Sequence, residues 1–221
     1  MANAPRAFIF DMDGTIVDNM AFHTKSWLEF FARRGKAYDP DAFFRETAGA
    51  QGREILRDRL GPEIPDDEIA VLAQEKDALY REMYGPHRAA IKGFEDFVTA
   101  ADTQGVALAV ATSAPPKNIV FTLDELDLRR HFAAVVGAAD VKQGKPHPDV
   151  FLKAAEKLGV NPADCVVFED APMGVEAARR AGMRAVVITS TLPAEDFAEF
   201  DNVIKIVNDY DELSVEDLLT R

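Results

Sequence analysis

The stretch Ala7-Phe8-Ile9-Phe10-Asp11-Met12-Asp13-Gly14-Thr15 joins an unbroken apolar run to a pair of carboxylates and a glycine. A short apolar run that ends at a turn signal reads as a buried strand. Comparable runs rich in Val, Ile and Phe recur at residues 106–111, 134–136, 166–168, 185–188 and 203–207. From the second run onward they alternate with helix-length amphipathic segments at 94–104, 117–126, 148–158, 175–181 and 215–219. That alternation predicts an α/β fold, a mostly parallel sheet with helices on both faces. Ligands of such sheets sit beyond the carboxyl ends of the strands, which is where Asp11 and Asp13 fall.

Between Phe10 and Phe94 the strand pattern stops and the apolar spacing becomes helical. Residues 20–33 bring Phe22, Trp27, Leu28, Phe30 and Phe31 toward one side, and further helices are predicted at 53–60 and 66–83, with Gly61, Pro62 and Pro65 between them. The expected organisation is a core of residues 1–19 and 89–221 interrupted by an all-helical cap of residues 20–88, the crossings acting as hinges.

The composition narrows the function. With 221 residues, 48% hydrophobic and 29% charged, and 13 Gly and 12 Pro scattered along the chain, disorder and fibre are excluded. Lys and Arg number 25 against 38 Asp and Glu, a net charge of −13, the wrong sign for gripping nucleic acid or anionic lipid. The single cysteine, Cys165, permits no internal disulfide and is expected to be buried. No apolar run approaches the ~20 residues of a bilayer span. No basic and apolar leader precedes the first strand, so a cytoplasmic protein without a membrane partner is expected.

Four stations along the chain carry chemistry. At the first, a carboxylate can attack phosphorus while a second one two residues on protonates the leaving oxygen, which makes Asp11 the nucleophile and Asp13 the acid and base. Asp-x-Asp-Gly after a strand is equally a plain turn. The second is Glu169-Asp170, ending the 166–168 run on the same sheet edge. Carboxylates gathered there would require protonation or a cation, and an oxygen-only donor set suits Mg²⁺; the competing reading makes Asp170 a helix cap. The third is Thr112-Ser113, whose hydroxyls before a helix start make either a phosphate cradle or an N-cap. The fourth is Gly144-Lys145-Pro146-His147-Pro148-Asp149, where the prolines hold Lys145 outside the helix, as a fixed ammonium beside the nucleophile or as an ordinary surface lysine. His147 reads as a cap or surface residue.

In this order, the four stations resemble the motifs of the haloacid dehalogenase superfamily of phosphotransferases along almost the whole chain. The helical insertion looks like its type I cap. Asp-Met-Asp-Gly-Thr-Ile-Val-Asp (11–18) and Phe-Glu-Asp-Ala-Pro-Met-Gly-Val-Glu-Ala-Ala (168–178) resemble the beta-phosphoglucomutase-like sugar phosphatase branch. The resemblance implies a Rossmann-like core, a mobile cap, and magnesium held by Asp11, the backbone carbonyl of Asp13, and Asp170, with Glu169 orienting that shell. It implies that Lys145 and Thr112 hold the transferring phosphoryl group. Asp13 also points away from dehalogenases, which lack this carboxylate, and from phosphonate hydrolases, which carry a small residue there.

In the cap, His23 falls where relatives have a hinge residue, and Arg53 and Lys76 near positions that hold a distal phosphate or relay closure. With Ser113 these complete the expected substrate contacts. The plainer alternatives are His23 packed beside Trp27, Arg53 paired with a neighbouring acid, and Lys76 on a charged helix face. The mutase pattern is broken twice: the Gly49-to-Arg53 spacing is one residue longer, and Pro115-Pro116 interrupts the polar run after Thr112. The expectation is therefore a monomeric Mg²⁺-dependent phosphatase acting on a small phosphorylated metabolite, with beta-phosphoglucomutase as the alternative. An inorganic pyrophosphatase or a non-catalytic phosphate-binding module stands further behind.

Overall fold

The computed structural model describes residues 6–47 and 50–220; Gly49, and with it the Gly49-to-Arg53 spacing, lies outside them. The sheet is formed by β1 (Ala7–Phe10), β2 (Ala107–Ala111), β3 (Ala134–Val136), β4 (Cys165–Glu169), β5 (Arg184–Ile188) and β6 (Val203–Val207). Every pairing is parallel and the order is β3-β2-β1-β4-β5-β6. β1 thus lies between β2 and β4, with Phe10 opposite Val110 on one side and Phe168 on the other. That register brings the strand ends carrying Asp11, Thr112 and Glu169 to one edge.

The alternation of side chains along β1 divides the core in two. Phe8 and Phe10 face α5 (Phe94–Thr103) and α9 (Val215–Leu219), in a cluster with Phe94, Phe97, Phe168, Tyr210 and Leu218. Ala7 and Ile9 face α7 (Asp149–Leu158) and α8 (Pro172–Arg180), against Phe151, Ala154, Ala177 and Ala178. Cys165 is buried on this second side, as expected. The aromatic side is the denser: Phe10 stacks on Phe168 at 4.4 Å between ring centroids and meets Phe94 edge-on at 5.6 Å.

The helical insertion consists of α1 (Met20–Ala32), α2 (Pro40–Thr47), α3 (Gly52–Leu60) and α4 (Asp66–Tyr84). It has its own apolar centre, where Trp27, Phe30 and Phe31 of α1 meet Phe43, Leu56, Ile69 and Leu79. The short α2, eight residues with Phe43 alone buried, is not among the helices expected from the sequence. Its anchor is Phe43, buried against Trp27, Phe31 and Tyr38. The outgoing and returning crossings touch: Val17 bridges Ala90, and the Ile91 amide donates to the Ile16 carbonyl at 2.8 Å. The expected helix at 117–126 is a single turn, α6 (Pro116–Ile119), continued by a π-turn at Val120–Asp124. Among the described residues no helix is long and apolar enough to cross a membrane.

Phe10→Ala is expected to destabilise the fold by about 3–5 kcal/mol, the range for emptying an aromatic site in a packed core. Urea unfolding followed by circular dichroism checks this, and a change under 1 kcal/mol would show that the aromatic layer collapses around the gap.

Candidate active site

At the end of β1 the chain turns sharply. The Ile16 and Val17 amides both donate to the Met12 carbonyl, at 2.9 and 3.2 Å, and Gly14 takes a φ of 80°. The turn tolerates only glycine at position 14, for two reasons: the positive φ, and a β-carbon there would lie 2.0 Å from an Asp170 oxygen. The Ser190 hydroxyl donates to the Gly14 carbonyl, fixing the turn from β5's side. Asp11 is thereby held at the strand end, its amide donating to the Phe168 carbonyl at 2.9 Å.

Lys145 joins the expected stations. Its ammonium is buried and donates to Asp11 Oδ1 at 2.5 Å and Glu169 Oε1 at 2.6 Å. The other Glu169 oxygen accepts the Asp170 and Ala171 amides, both at 2.9 Å, where α8 begins. Gly174 on α8 makes room for this carboxylate, since a β-carbon there would lie 1.7 Å from Glu169 Oε1. Thr15 donates to Asp170 Oδ1 at 3.3 Å. Thr112 is buried at the end of β2, and its hydroxyl oxygen accepts the Ala114 amide at 3.1 Å.

Charge balance explains the titration of the group. Burial, aided by the nearby Glu169 and Asp13 charges, pushes the Asp11 carboxyl up to about 7 even though Lys145 opposes it. Burial, with Glu169 and Asp11 adding to it, raises Asp170 well above its ordinary range. Burial works against the Lys145 ammonium, yet the Asp11 and Glu169 carboxylates outweigh it and raise its pKa. One ammonium therefore leaves surplus negative charge in a dry place, which is the condition for a bound cation. One oxygen each from Asp11, Glu169 and Asp170 lies within 4.8 Å of the others, and Asp170 Oδ2 is buried with no well-formed hydrogen bond among the described residues, the Thr191 hydroxyl being its neighbour. These oxygen-only donors fit Mg²⁺.

Asp13 departs from the expected cluster of four side-chain carboxylates. Its side chain turns toward the helical insertion, where Asn19 Nδ2 donates to Oδ1 at 2.6 Å and His23 Nε2 lies at 3.6 Å. The chain after β1 is an irregular turn folded back on the Met12 carbonyl, so residues two apart in sequence do not share a face here as they would in a strand. Burial pushes the Asp13 carboxyl up, but His23 and Asn19 prevail and hold it below the ordinary range. Lys76 approaches His23 Nδ1 at 3.1 Å. An ammonium only donates, so Nδ1 accepts and the histidine proton sits on Nε2, toward Asp13. Burial and the Lys76 charge lower the pKa of His23, in keeping with a neutral ring. Lys76 is itself buried, over the rings of Trp27 and Tyr80. It is not the solvent-facing lysine of the plainer reading.

A cleft of about 620 Å³ opens between the insertion and the sheet edge, lined by Asp11, Asp13, His23, Lys76, Thr112, Ser113, Lys145, Glu169 and Asp170. Arg53 lies on its wall at the exposed start of α3, away from the buried centre, and has Arg57 of the same helix and Lys142 of the core loop as companions. Sequence reasoning missed Asn19, Arg57 and Lys142. Asn19 precedes the helical spacing of 20–33 and in the sequence reads only as an N-cap; the structure buries it and α1 receives no side-chain hydrogen bond from it. It instead accepts the Gly14 amide at 3.2 Å and donates to Asp13 and to the Tyr80 hydroxyl, each at 2.6 Å.

The sequence model of haloacid dehalogenase-like hydrolases matches residues 5–182. The fructose-1-phosphate phosphatase YqaB of Escherichia coli is 38% identical over 178 residues, covering 80% of this chain and 93% of that protein. Among solved structures, a HAD hydrolase of family IA, variant 3, from Entamoeba histolytica superposes with a TM-score of 0.88 at 27% identity, over 98% of this chain and 100% of the other. A beta-phosphoglucomutase from Clostridium difficile shares the fold, with a TM-score of 0.85 at 23% identity, over 98% of this chain and 97% of that one.

Metal-free protein is expected to lose stability as the pH rises from about 4 to about 7, because the unfolded Asp11 ionises near 3.8 while the buried group keeps its proton up to about 7. Mg²⁺ should raise the melting temperature most at the upper end of that range, and Asp170→Asn should remove the gain. Thermal melts in EDTA and in Mg²⁺ measure both; an equal response in wild type and Asp170→Asn would place the metal elsewhere.

Proposed function

The chain belongs to the haloacid dehalogenase-like hydrolases, and from that premise we propose a Mg²⁺-dependent phosphatase that hydrolyses a small phosphorylated metabolite of the sugar phosphate class through an aspartyl-phosphate. The observation that carries this reading is the pairing of a buried Asp11, held against the Lys145 ammonium, with a second carboxylate, Asp13, two residues away and held by a separate set of partners. One carboxylate is fixed for attack and the other for proton transfer. The relationship to a fructose-1-phosphate phosphatase supports the substrate class.

Asp11 Oδ attacks phosphorus in line as the ester bond to the leaving oxygen breaks, and the proton on Asp13 passes to that oxygen. In the second half, water attacks the aspartyl-phosphate, its proton goes to Asp13, and the bond from Asp11 to phosphorus breaks. Lys145 neutralises charge on the transferring group, and Thr112 and Ser113, at the end of β2, offer hydroxyl contacts to its oxygens. Asp11, Asp170 and the Asp13 carbonyl, with Glu169 orienting that set, would hold Mg²⁺, whose chemistry would be further neutralisation of phosphoryl charge. The Asn19 hydrogen bond and the His23 ring 3.6 Å away favour the anion that Asp13 becomes once it has protonated the leaving oxygen, the form that then receives the water proton. Residues 20–88 serve as a cap over the core of 1–19 and 89–221, and place His23, Lys76 and Arg53 over the substrate.

A mutase is less well supported. Asn118, which would have to reach a distal phosphate, lines the cleft but is buried with its Oδ1 committed to Arg81 Nη1 at 2.6 Å, while Lys117 is exposed and lines a separate shallow depression with Arg81, Val120 and Phe121.

The deciding assay incubates the protein with Mg²⁺ and phosphorylated sugars, pyrophosphate or beta-glucose 1-phosphate, with a trace of glucose 1,6-bisphosphate, following phosphate and glucose 6-phosphate. Phosphate release from a sugar phosphate well above the rest is expected; glucose 6-phosphate without phosphate release would make it a mutase. Asp11→Asn should lower turnover roughly a thousandfold or more with the melting curve retained. Asp13→Ala should slow turnover by about 10²–10⁴, and phosphorylated Asp11 detected by mass spectrometry would place the slow step after the attack.

A further inference from the structure

Gln51 occupies the N-cap position of α3, and its backbone is fully engaged there: its amide donates to Glu54 Oε2 at 3.2 Å and its carbonyl accepts the Glu54 and Ile55 amides at 3.0 and 3.2 Å. Its side chain makes no cap hydrogen bond. It reaches across the cleft instead and lies over Gly144 of the core, so closely that a β-carbon on residue 144 would stand 2.6 Å from Nε2 and 2.9 Å from both Cδ and Cγ. Gly144 has no positive φ, so its lack of a side chain is not a demand of the backbone. The space is taken up by the cap.

Both partners occupy telling places. Gly144 is buried and immediately precedes Lys145, whose ammonium bridges Asp11 and Glu169. Gln51 begins the helix that carries Arg53 and Arg57 to the cleft wall. We propose that Gln51 on Gly144 is the seat on which the helical insertion rests when the cleft is closed, and that this contact sets the distance between the α3 cations and the Lys145 loop. It makes Gln51 and Gly144 positioning residues for the part of the substrate remote from phosphorus. The kinetic consequence rests on the phosphatase reading above; the conformational one does not.

The test is a double-mutant cycle of Gln51→Ala and Gly144→Ala, with two readouts. Trp27, the sole tryptophan, is nearly buried in the insertion and lines the cleft, so acrylamide quenching of its fluorescence in ligand-free protein reports opening. Gly144→Ala should displace the Gln51 side chain, increase quenching, and raise KM for the best sugar phosphate of the panel about tenfold. In the Gln51→Ala background the three atoms that stand nearest the added methyl group are gone, so Gly144→Ala should change quenching and KM by less than about twofold. The same factor in both backgrounds, or none in the wild type, would overturn the seat. If no phosphate is turned over, the functional reading fails while the quenching cycle still decides the contact.

Discussion

Everything at the site depends on one buried ammonium. Parallel pairing of β1 between β2 and β4 forces Asp11 and Glu169 to emerge side by side from a dry sheet edge. Such a pair is unfavourable in low dielectric unless a cation joins it, and removing one partner from a buried ion pair typically costs about 3–5 kcal/mol. Lys145 supplies the charge from a loop remote in sequence, and stays protonated because both carboxylates act on it. With Asp170 alongside, three carboxylates face one ammonium, a shortfall of two positive charges that a divalent cation would fill.

Close packing enforces this electrostatic arrangement. Gly14 and Gly174 stand where any side chain would strike Asp170 or Glu169, so the turn after β1 and the first turn of α8 approach the carboxylates to contact distance. Glu169 has no freedom left, with one oxygen on Lys145 and the other on a pair of α8 amides. The fold imposes that position partly through backbone amides, which are harder to displace than a side-chain contact.

The sheet was legible because its strands are nearly continuous apolar runs, the signature of strands covered on both faces, and because the acidic and hydroxyl residues fall at their ends. Asp11, Glu169, Asp170 and Thr112 could be grouped from that alone, since parallel strands end on one edge; Lys145, in the loop after β3, was joined to them by the family resemblance. The direction of Asp13 could not, because it is set by hydrogen bonds in an irregular turn rather than by strand alternation. Nor could the burial of Lys76: Gln74-Glu75-Lys76-Asp77 reads as a solvated helix face, and only the placement of Trp27, His23 and Tyr80 from other turns covers the ammonium. The helix α2 escaped notice because a single aromatic residue, Phe43, anchors it. A hydrophobic period needs several turns to declare itself.

Asn19 shows how these separate requirements meet at one residue. An asparagine at a helix N-cap ordinarily spends its side chain on the first turn, where it contributes about 1 kcal/mol. Here the α1 turn closes on the Asn19 carbonyl alone, and the amide group is divided among the Gly14 backbone, the Asp13 carboxylate and the Tyr80 hydroxyl of α4. Tyr80 in turn stacks on His23 at 3.8 Å, the ring whose Nε2 faces Asp13. The same carboxylate is thus held from the core turn through Asn19 and from the helical insertion through His23 and Tyr80. A shift of the insertion cannot leave Asp13 unaffected, whereas Asp11, held by β1 and Lys145, has no partner in the insertion among these bonds. In the proposed reaction the attacking group would thus belong to the sheet and the proton-transfer group to the junction, which would separate attack, fixed in place, from proton transfer, tied to the position of the insertion.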